Sequence, residues 1–423
     1  MKHLKDKNYL WLVGIGTIFY ALIFYGLHIN KFIYSSEYIP SDSYSYIEAA
    51  NMLFDNFSAH PLRPLGYAFI LGLPQLFSDS IHLSGFIAYS LVVNFVIWIS
   101  TILLLYKTMR LFMGSKFSFG GTLVFIFCVG NALQINFILT ETIMTFLLLL
   151  AVHYSVKYSL EKKVEFLILA TSILNLSILF RPGMLYFSFL VTVGVIIYLL
   201  YTKSVRYLAN ISFLSAFFLV AIQFFCIYFT YGDFTPSYIG NTTWYNYLGG
   251  EANAKKSQIS YMQERENRLN NLKGLDWHEK SVVCKKDLKL QIKTNFNNVL
   301  FEYLSNIQEN ILGGNSYGIK RIENVSNGVY VTRFNSFLMS VSVITNRYSA
   351  ILTIFTIILS LYQFRKAPIS LVISLGIVLY IIFTSGISFW QGARFHMVFY
   401  PLVIVNLFHA LALEPKIKCW LNQ

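Results

Sequence analysis

An all-α polytopic membrane protein is what the sequence predicts, and three observations carry that prediction. Hydrophobic residues make up 56% of the chain and charged residues only 13%, against about 25% charged in soluble domains. Apolar runs of the roughly 20 residues needed to cross a bilayer recur along its length. Basic residues also alternate in density from loop to loop. Of the 33 Lys and Arg, 15 fall in the two ends and in four short loops. Those loops hold Lys107, Arg110 and Lys116; Lys157, Lys162 and Lys163; Lys203 and Arg206; and Arg365 and Lys366. The short loops between them carry only Lys31, Arg63, Arg181 and Arg394. The positive-inside rule then puts both termini in the cytoplasm and the protein in the cytoplasmic (inner) membrane. The net charge of +13 is therefore topological, and nucleic acid is not an expected partner.

About ten spanning helices are expected, taken in order from length and flanking charge. The first covers about 9–29. Lys2, Lys5 and Lys7 precede it as in a signal peptide, but no small-residue cleavage site comes after it, so it reads as a retained anchor. It leads to a first outer loop, 30–66, where an amphipathic helix is expected from Asp42. Tyr46, Ala49, Ala50, Leu53 and Phe57 fall on one face of it, and Glu48, Asn51 and Asp55 on the other. Such a helix lies flat on the membrane surface. The prolines of His60-Pro-Leu-Arg63-Pro then force a turn. Residues 65–78 are apolar, but Pro74 and the Ser78-Asp79-Ser80 stop leave them too short to cross.

Further spans are expected at about 82–106, 118–135, 141–158, 165–181, 184–201 and 207–230. Residues 232–346 are polar and form a mainly helical extracytoplasmic domain, helical over 253–310 and loop-like over 313–330. Leu269, Leu272, Leu275 and Trp277 are its expected core, and the charges from Lys255 to Lys293 its solvated face. Spans at about 347–363, 368–385 and 397–413 complete the chain. Three parts result: 1–231, an N-terminal transmembrane module; 232–346, the outer domain; and 347–423, the C-terminal helices. Cys128, Cys226, Cys284 and Cys419 show no zinc spacing and read as inert thiols.

Ionisable side chains at spanning segments are costly, which makes them functional candidates. Four sit on the outer side. Asp42 opens the loop helix, and Glu141 starts the 141–158 span, where an acid also stabilises a helix N-terminus. Arg181 and Arg394 either snorkel to headgroups or grip phosphate with a fixed guanidinium fork. His60 is a ligand or a plain loop histidine, and a His beside one carboxylate does not make a metal site. The chain has no GKS or GKT phosphate loop, no glycine-rich dinucleotide turn after a strand, and no Ser-centred nucleophile elbow.

Asp42-x-x-x-Tyr46-x-x-Ala49 followed by Arg63-Pro-Leu-Gly-Tyr67 resembles the first outer loop of the GT-C glycosyltransferases. That superfamily includes protein O-mannosyltransferases and the aminoarabinose transferases of lipid A. The resemblance extends in family order to 136–146 with Glu141, 179–184 with Arg181, and 390–401 with Arg394; the 232–346 domain has no part in it. It implies transfer of a sugar from a polyprenyl-phosphate donor to a glycan, lipid or protein acceptor on the outer face. Asp42 and Glu141 are then the catalytic acids. Tyr46, His60, Arg63, Tyr67, Arg181 and Arg394 line the substrate site. Some members of the superfamily use a divalent ion and others none, so the resemblance leaves metal open and implies no other cofactor. The alternatives are a polysaccharide polymerase or ligase acting on diphosphate-linked glycans, and a transporter or flippase. Matched Gly/Pro-broken helix pairs of the kind transporters carry are not apparent.

Reporter fusions check this topology. Fusions after Lys116, Lys163 and Lys203 are expected to report cytoplasm, and a fusion at Gly274 the outside; a cytoplasmic signal at Gly274 contradicts the charge argument.

Overall fold

The computed structural model describes residues 6–78, 81–203, 207–314, 317–330, 332–362, 368–389 and 394–414, with 417 and 419. Every element in them is a helix. Trp390, Gln391, Gly392 and Ala393, the Asp79-Ser80 stop, and Lys2, Lys5, Arg206, Arg365, Lys366, Lys416 and Lys418 lie outside the described residues.

The N-terminal module runs α1 (Asn8–Gly26), a short α2 (Ile29–Phe32), α3 (Ser41–Asn56), α4 (Leu65–Gly72), α5 (Leu83–Met109), α6 (Ser115–Ile126) and α7 (Val129–Gln134). It continues with α8 (Glu141–Glu161), α9 (Val164–Ser177), α10 (Leu185–Thr202) and α11 (Tyr207–Tyr231). Among the described residues, six helices are long and apolar enough to cross a membrane: Asn8–Gly26, Leu83–Met109, Glu141–Glu161, Pro182–Thr202, Asn210–Tyr231 and Arg333–Tyr362. The chain is thus a multi-pass membrane protein. Four of the ten expected spans are absent from that set. The segments Val164–Ser177, Ile369–Ser385 and Met397–Leu411 are apolar but shorter. The fourth, 118–135, is broken: α6 ends at Ile126, and Cys128 takes an extended conformation before α7.

The span Glu141–Glu161 is 61% buried, against 17–39% for the other five. It is the central post of the bundle, packed by α5, α9 and the last two helices. By contrast α10 and α11 present Tyr186, Phe189, Leu190, Leu214, Phe217 and Phe218 outward. Large apolar side chains exposed along a helix of this length are what lipid contact requires.

The polar middle of the chain folds as α12 (Ile239–Asn246), α13 (Leu248–Ser257), α14 (Tyr261–Leu272), α15 (Trp277–Thr294) and α16 (Phe296–Leu312). Asp276 and Glu279 cap the start of α15 reciprocally, satisfying two donors that the helix itself leaves open. Of the expected core, Leu272 is buried but Leu269 is 45% exposed. Trp277 instead packs against Tyr238, ring centroids 6.0 Å apart. Nor is the charge all solvated. Arg268 is 3% exposed and binds Glu264 at 2.7 Å and Asp287 at 2.9 Å, with Tyr245 beneath its guanidinium at 4.5 Å. The expected 313–330 loop contains a further helix, α17 (Tyr317–Val325). The next helix, α18 (Arg333–Tyr362), starts well before residue 347, and α19 (Ile369–Ser385) and α20 (Tyr400–Leu411) come after it.

Replacing Arg268 by Met leaves Glu264 and Asp287 without their shared cation. The expected cost is about 3 kcal/mol or more, read as faster proteolysis within 261–294 while the spans stay intact.

Candidate functional site

Helix α3 begins where Pro40, extended at φ −65° and ψ 150°, ends the preceding chain. Asp42 therefore stands in its first turn, where an acid is favoured by the helix dipole. Ser43, Tyr46, Ala49 and Ala50 face the core, and Glu48 and Asp55 face out. Phe57 does not join the buried face: it sits past the helix end at φ 49° and is 87% exposed.

The chain then turns back through residues 57–64. His60 is buried, and its Nδ1 accepts the backbone N–H of Leu62 and of Arg63, both at 3.1 Å. Its Nε2 lies 3.5 Å from Glu48. With both ring nitrogens occupied inside the loop, His60 shapes the turn that delivers Arg63. Burial holds the imidazole below its usual pKa against the pull of Glu48, which suits a neutral ring accepting at Nδ1. The turn is seated from behind by Gln223, whose Oε1 accepts from Leu65 N–H at 2.7 Å while its Nε2 donates to the Pro236 carbonyl at 2.7 Å.

Gly66 has a steric reason to be glycine. Its N–H donates to the Leu179 carbonyl at 2.9 Å, and a Cβ there would lie 2.7 Å from that same oxygen. The loop carrying Arg63 is thereby pressed against the turn carrying Arg181. Tyr380 supports that turn from the other side by donating its hydroxyl to the Gly183 carbonyl. On the third approach, Asn94 holds the stretch before Glu141 by donating to the carbonyls of Ile135 and Phe137 at 3.3 and 2.9 Å.

These supports bring together residues far apart in sequence. Arg394 donates from Nη1 to Asp42 Oδ2 at 2.9 Å and from Nε to Glu141 Oε1 at 2.7 Å. Arg63 donates from Nη2 to Asp42 Oδ1 at 2.7 Å and from Nε to Ser45 Oγ at 2.7 Å. It lies 4.6 Å over the ring of Tyr46, which meets Tyr67 edge-on at 5.1 Å. Burial alone would raise the Asp42 pKa, but Arg394 and Arg63 overrule it and hold the carboxyl at about 2.

Arg181 completes the group on different terms. It stacks over Phe395 at 4.5 Å and, among the described residues, makes no ion pair or side-chain hydrogen bond. Burial works against its charge, and so does the like charge of Arg394, while Glu141 relieves this in part. Three guanidiniums thus face two carboxylates, leaving one positive charge over, and the uncompensated one is Arg181. The second oxygen of Glu141, Oε2, is buried without a hydrogen-bond partner, beside a gap that Trp98, Asn131, Gln134 and Thr142 also line.

The group suits an anion better than a cation. Both carboxylates already share Arg394, and an excess of positive charge repels a divalent metal. No three of His, Cys, Asp and Glu gather as metal ligands among the described residues. All eight candidate residues lie in or directly around the cluster, His60 as a turn-former. Sequence reasoning missed Ser45, Asn94 and Gln223. The last two are lone amides in apolar spans, a signal open to the same argument from burial cost. The chain matches no family model and no curated protein.

A double-mutant cycle checks the central bridge. Arg394→Met strands the buried Glu141 and is expected to lower thermal stability strongly, by about 3 kcal/mol. Adding Glu141→Gln is expected to recover at least about 1 kcal/mol of that, whereas purely additive losses show the two side chains to be independent.

Proposed function

We propose that this protein transfers a sugar from a polyprenyl-phosphate carrier to an acceptor hydroxyl on the extracytoplasmic face of the membrane. The observation that carries the reading is Arg181, a partly buried guanidinium with no carboxylate ion-paired to it among the described residues, beside the Asp42–Arg394–Glu141 bridge. An uncompensated planar cation at that place calls for an anion, and phosphate matches its fork. A lipid-linked donor satisfies the rest, because its chain can lie among apolar helices while its phosphate and sugar reach the cluster. The loop resemblance to the GT-C enzymes points to the same donor class.

The proposed chemistry is a single displacement. The acceptor oxygen bonds to the anomeric carbon as the bond from that carbon to the phosphate oxygen breaks. The electron pair leaves on the phosphate and the acceptor proton passes to Asp42. The configuration inverts, as in other single displacements at an anomeric centre. Arg181 and Arg394 meet the charge that develops on the departing phosphate. Glu141 keeps Arg394 in register, and Arg63, Tyr46 and Tyr67 form the wall beside Asp42.

A carboxylate held at about 2 by Arg394 and Arg63 is a weak base. Donor binding resolves this, because the phosphate competes for Arg394 and so weakens one of the two contacts that depress Asp42. In the free protein Asp42 stays ionised as pH falls towards about 2; in the complex its pKa rises, so it protonates at a higher pH.

The pH profiles are therefore expected to differ. The acid limb of kcat, which reports the complex, should lie at higher pH than that of kcat/KM, which reports free enzyme. Asp42→Asn is expected to lower turnover by about 100-fold or more with donor binding retained, and Glu141→Gln to impair it less. The assay uses purified protein with a panel of polyprenyl-phosphate sugars, beside mass spectrometry of surface glycans with and without the protein. Near-parental turnover by Asp42→Asn overturns the mechanism, and unchanged surface glycans overturn the function.

A further inference from the structure

We infer that the chain end of the outer domain is a strap that positions Asp42, and that Arg321 is its working residue. The strap is α17 and the turn after it, through Tyr330. It is fastened to the body by Ile319 and Ile322, both fully buried in the main core. Gly318 packs against Phe137 and Leu133, whose side chains lie 3.4 and 3.5 Å from its Cβ position, ordinary contact distances.

From this base Arg321 reaches across to the first outer loop. Its Nη1 donates to three successive carbonyls, Glu37 at 2.8 Å, Tyr38 at 3.0 Å and Ile39 at 3.0 Å. Three backbone acceptors curled onto one charged nitrogen form a fixed anchor point, since hydrogen bonds from a cation are about twice as strong as neutral ones. A second fastening lies earlier in the loop. Tyr330 accepts from Lys31 Nζ at 3.0 Å and packs on His28 and Phe32, ring centroids 4.6 and 5.5 Å apart.

The anchor matters because Asp42 is so close to it along the chain. Between Ile39 and Asp42 stand only Pro40, with φ fixed by its ring, and Ser41, the first residue of α3. The link has little slack, so displacement at Ile39 passes to Asp42. The same strap touches the approach to Glu141: Gly318 lies against Phe137, four residues before that acid, and Phe137 in turn stacks on the buried Tyr38 at 5.4 Å. One segment from the far side of the outer domain thus sets the approach to both acids. Arg321 touches neither, and it acts on the proposed reaction through the backbone of residues 37–39. The catalytic half of this inference rests on the functional reading above; the anchoring half does not.

Arg321→Ala and Arg321→Lys in the full-length protein separate the two. Backbone amide exchange over 37–45 is expected to rise about tenfold or more in the Ala variant, since lost anchoring opens the segment locally. Lys puts three N–H donors on one charged nitrogen, where Arg321 Nη1 shares two among the three carbonyls, and is expected to hold exchange near the parental rate. Turnover is expected to fall up to about 100-fold in the Ala variant, as a misplaced catalytic group does, with donor affinity unchanged and Lys restoring most of it. Melting temperature is expected to move little, because Ile319 and Ile322 remain. Unchanged exchange over 37–45 in the Ala variant overturns the anchor whatever the activity. Raised exchange with parental turnover overturns the positioning role. Raised exchange in a protein whose parent transfers no sugar overturns the functional reading and the catalytic half with it.

Discussion

One guanidinium between two carboxylates holds the working end of this protein together. Arg394 joins Asp42, 352 residues away, to Glu141, 253 residues away, and so ties the start of α3 to the central post and to the last helices. Each partner costs free energy to bury alone. Together they form a ladder in which Arg63, Asp42, Arg394 and Glu141 alternate in sign. Such a ladder tolerates burial only when its donors and acceptors are met, which explains the number of neutral groups recruited around it. Ser45 receives Arg63, His60 collects the N–H groups of its turn, and Asn94, Gln223 and Tyr380 hold the three backbone approaches.

Arg181 departs from that rule. Every other charge of the cluster has an opposite one in direct contact, while Arg181, among the described residues, touches an aromatic face and feels Glu141 only at a distance. A cation–π contact contributes about 1–2 kcal/mol, less than burying a guanidinium costs. The positive charge left over at Arg181 is one that an anion would answer. The same reasoning disfavours a divalent metal between Asp42 and Glu141, because Arg394 already stands there.

The polar middle of the chain, α12–α16, has its own internal logic, with the Arg268 triad and the Asp276–Glu279 capping box joining short helices. After them, α17 returns to the membrane bundle. There the chain that sequence composition marks as a loop buries Ile319 and Ile322 and curls three carbonyls onto Arg321.

What the sequence determined by itself was whatever depends on local pattern. Apolar run length predicts spanning helices, the prolines of His60-Pro-Leu-Arg63-Pro mark the turn before α4, and ionisable residues beside apolar runs marked Asp42, Glu141, Arg181 and Arg394. Span number was less legible. A run such as 118–135 is apolar enough to cross, yet packing breaks it at Cys128, and composition does not register a backbone kink. Tertiary structure alone decided which candidate meets which. That Arg394 bridges the two acids, that Gly66 must be glycine to clear Leu179, and that Arg321 rather than a neighbouring base anchors the loop all depend on chain segments brought together across more than a hundred residues. Periodicity and propensity are short-range, whereas the electrostatics of a buried cluster are set by distance in space.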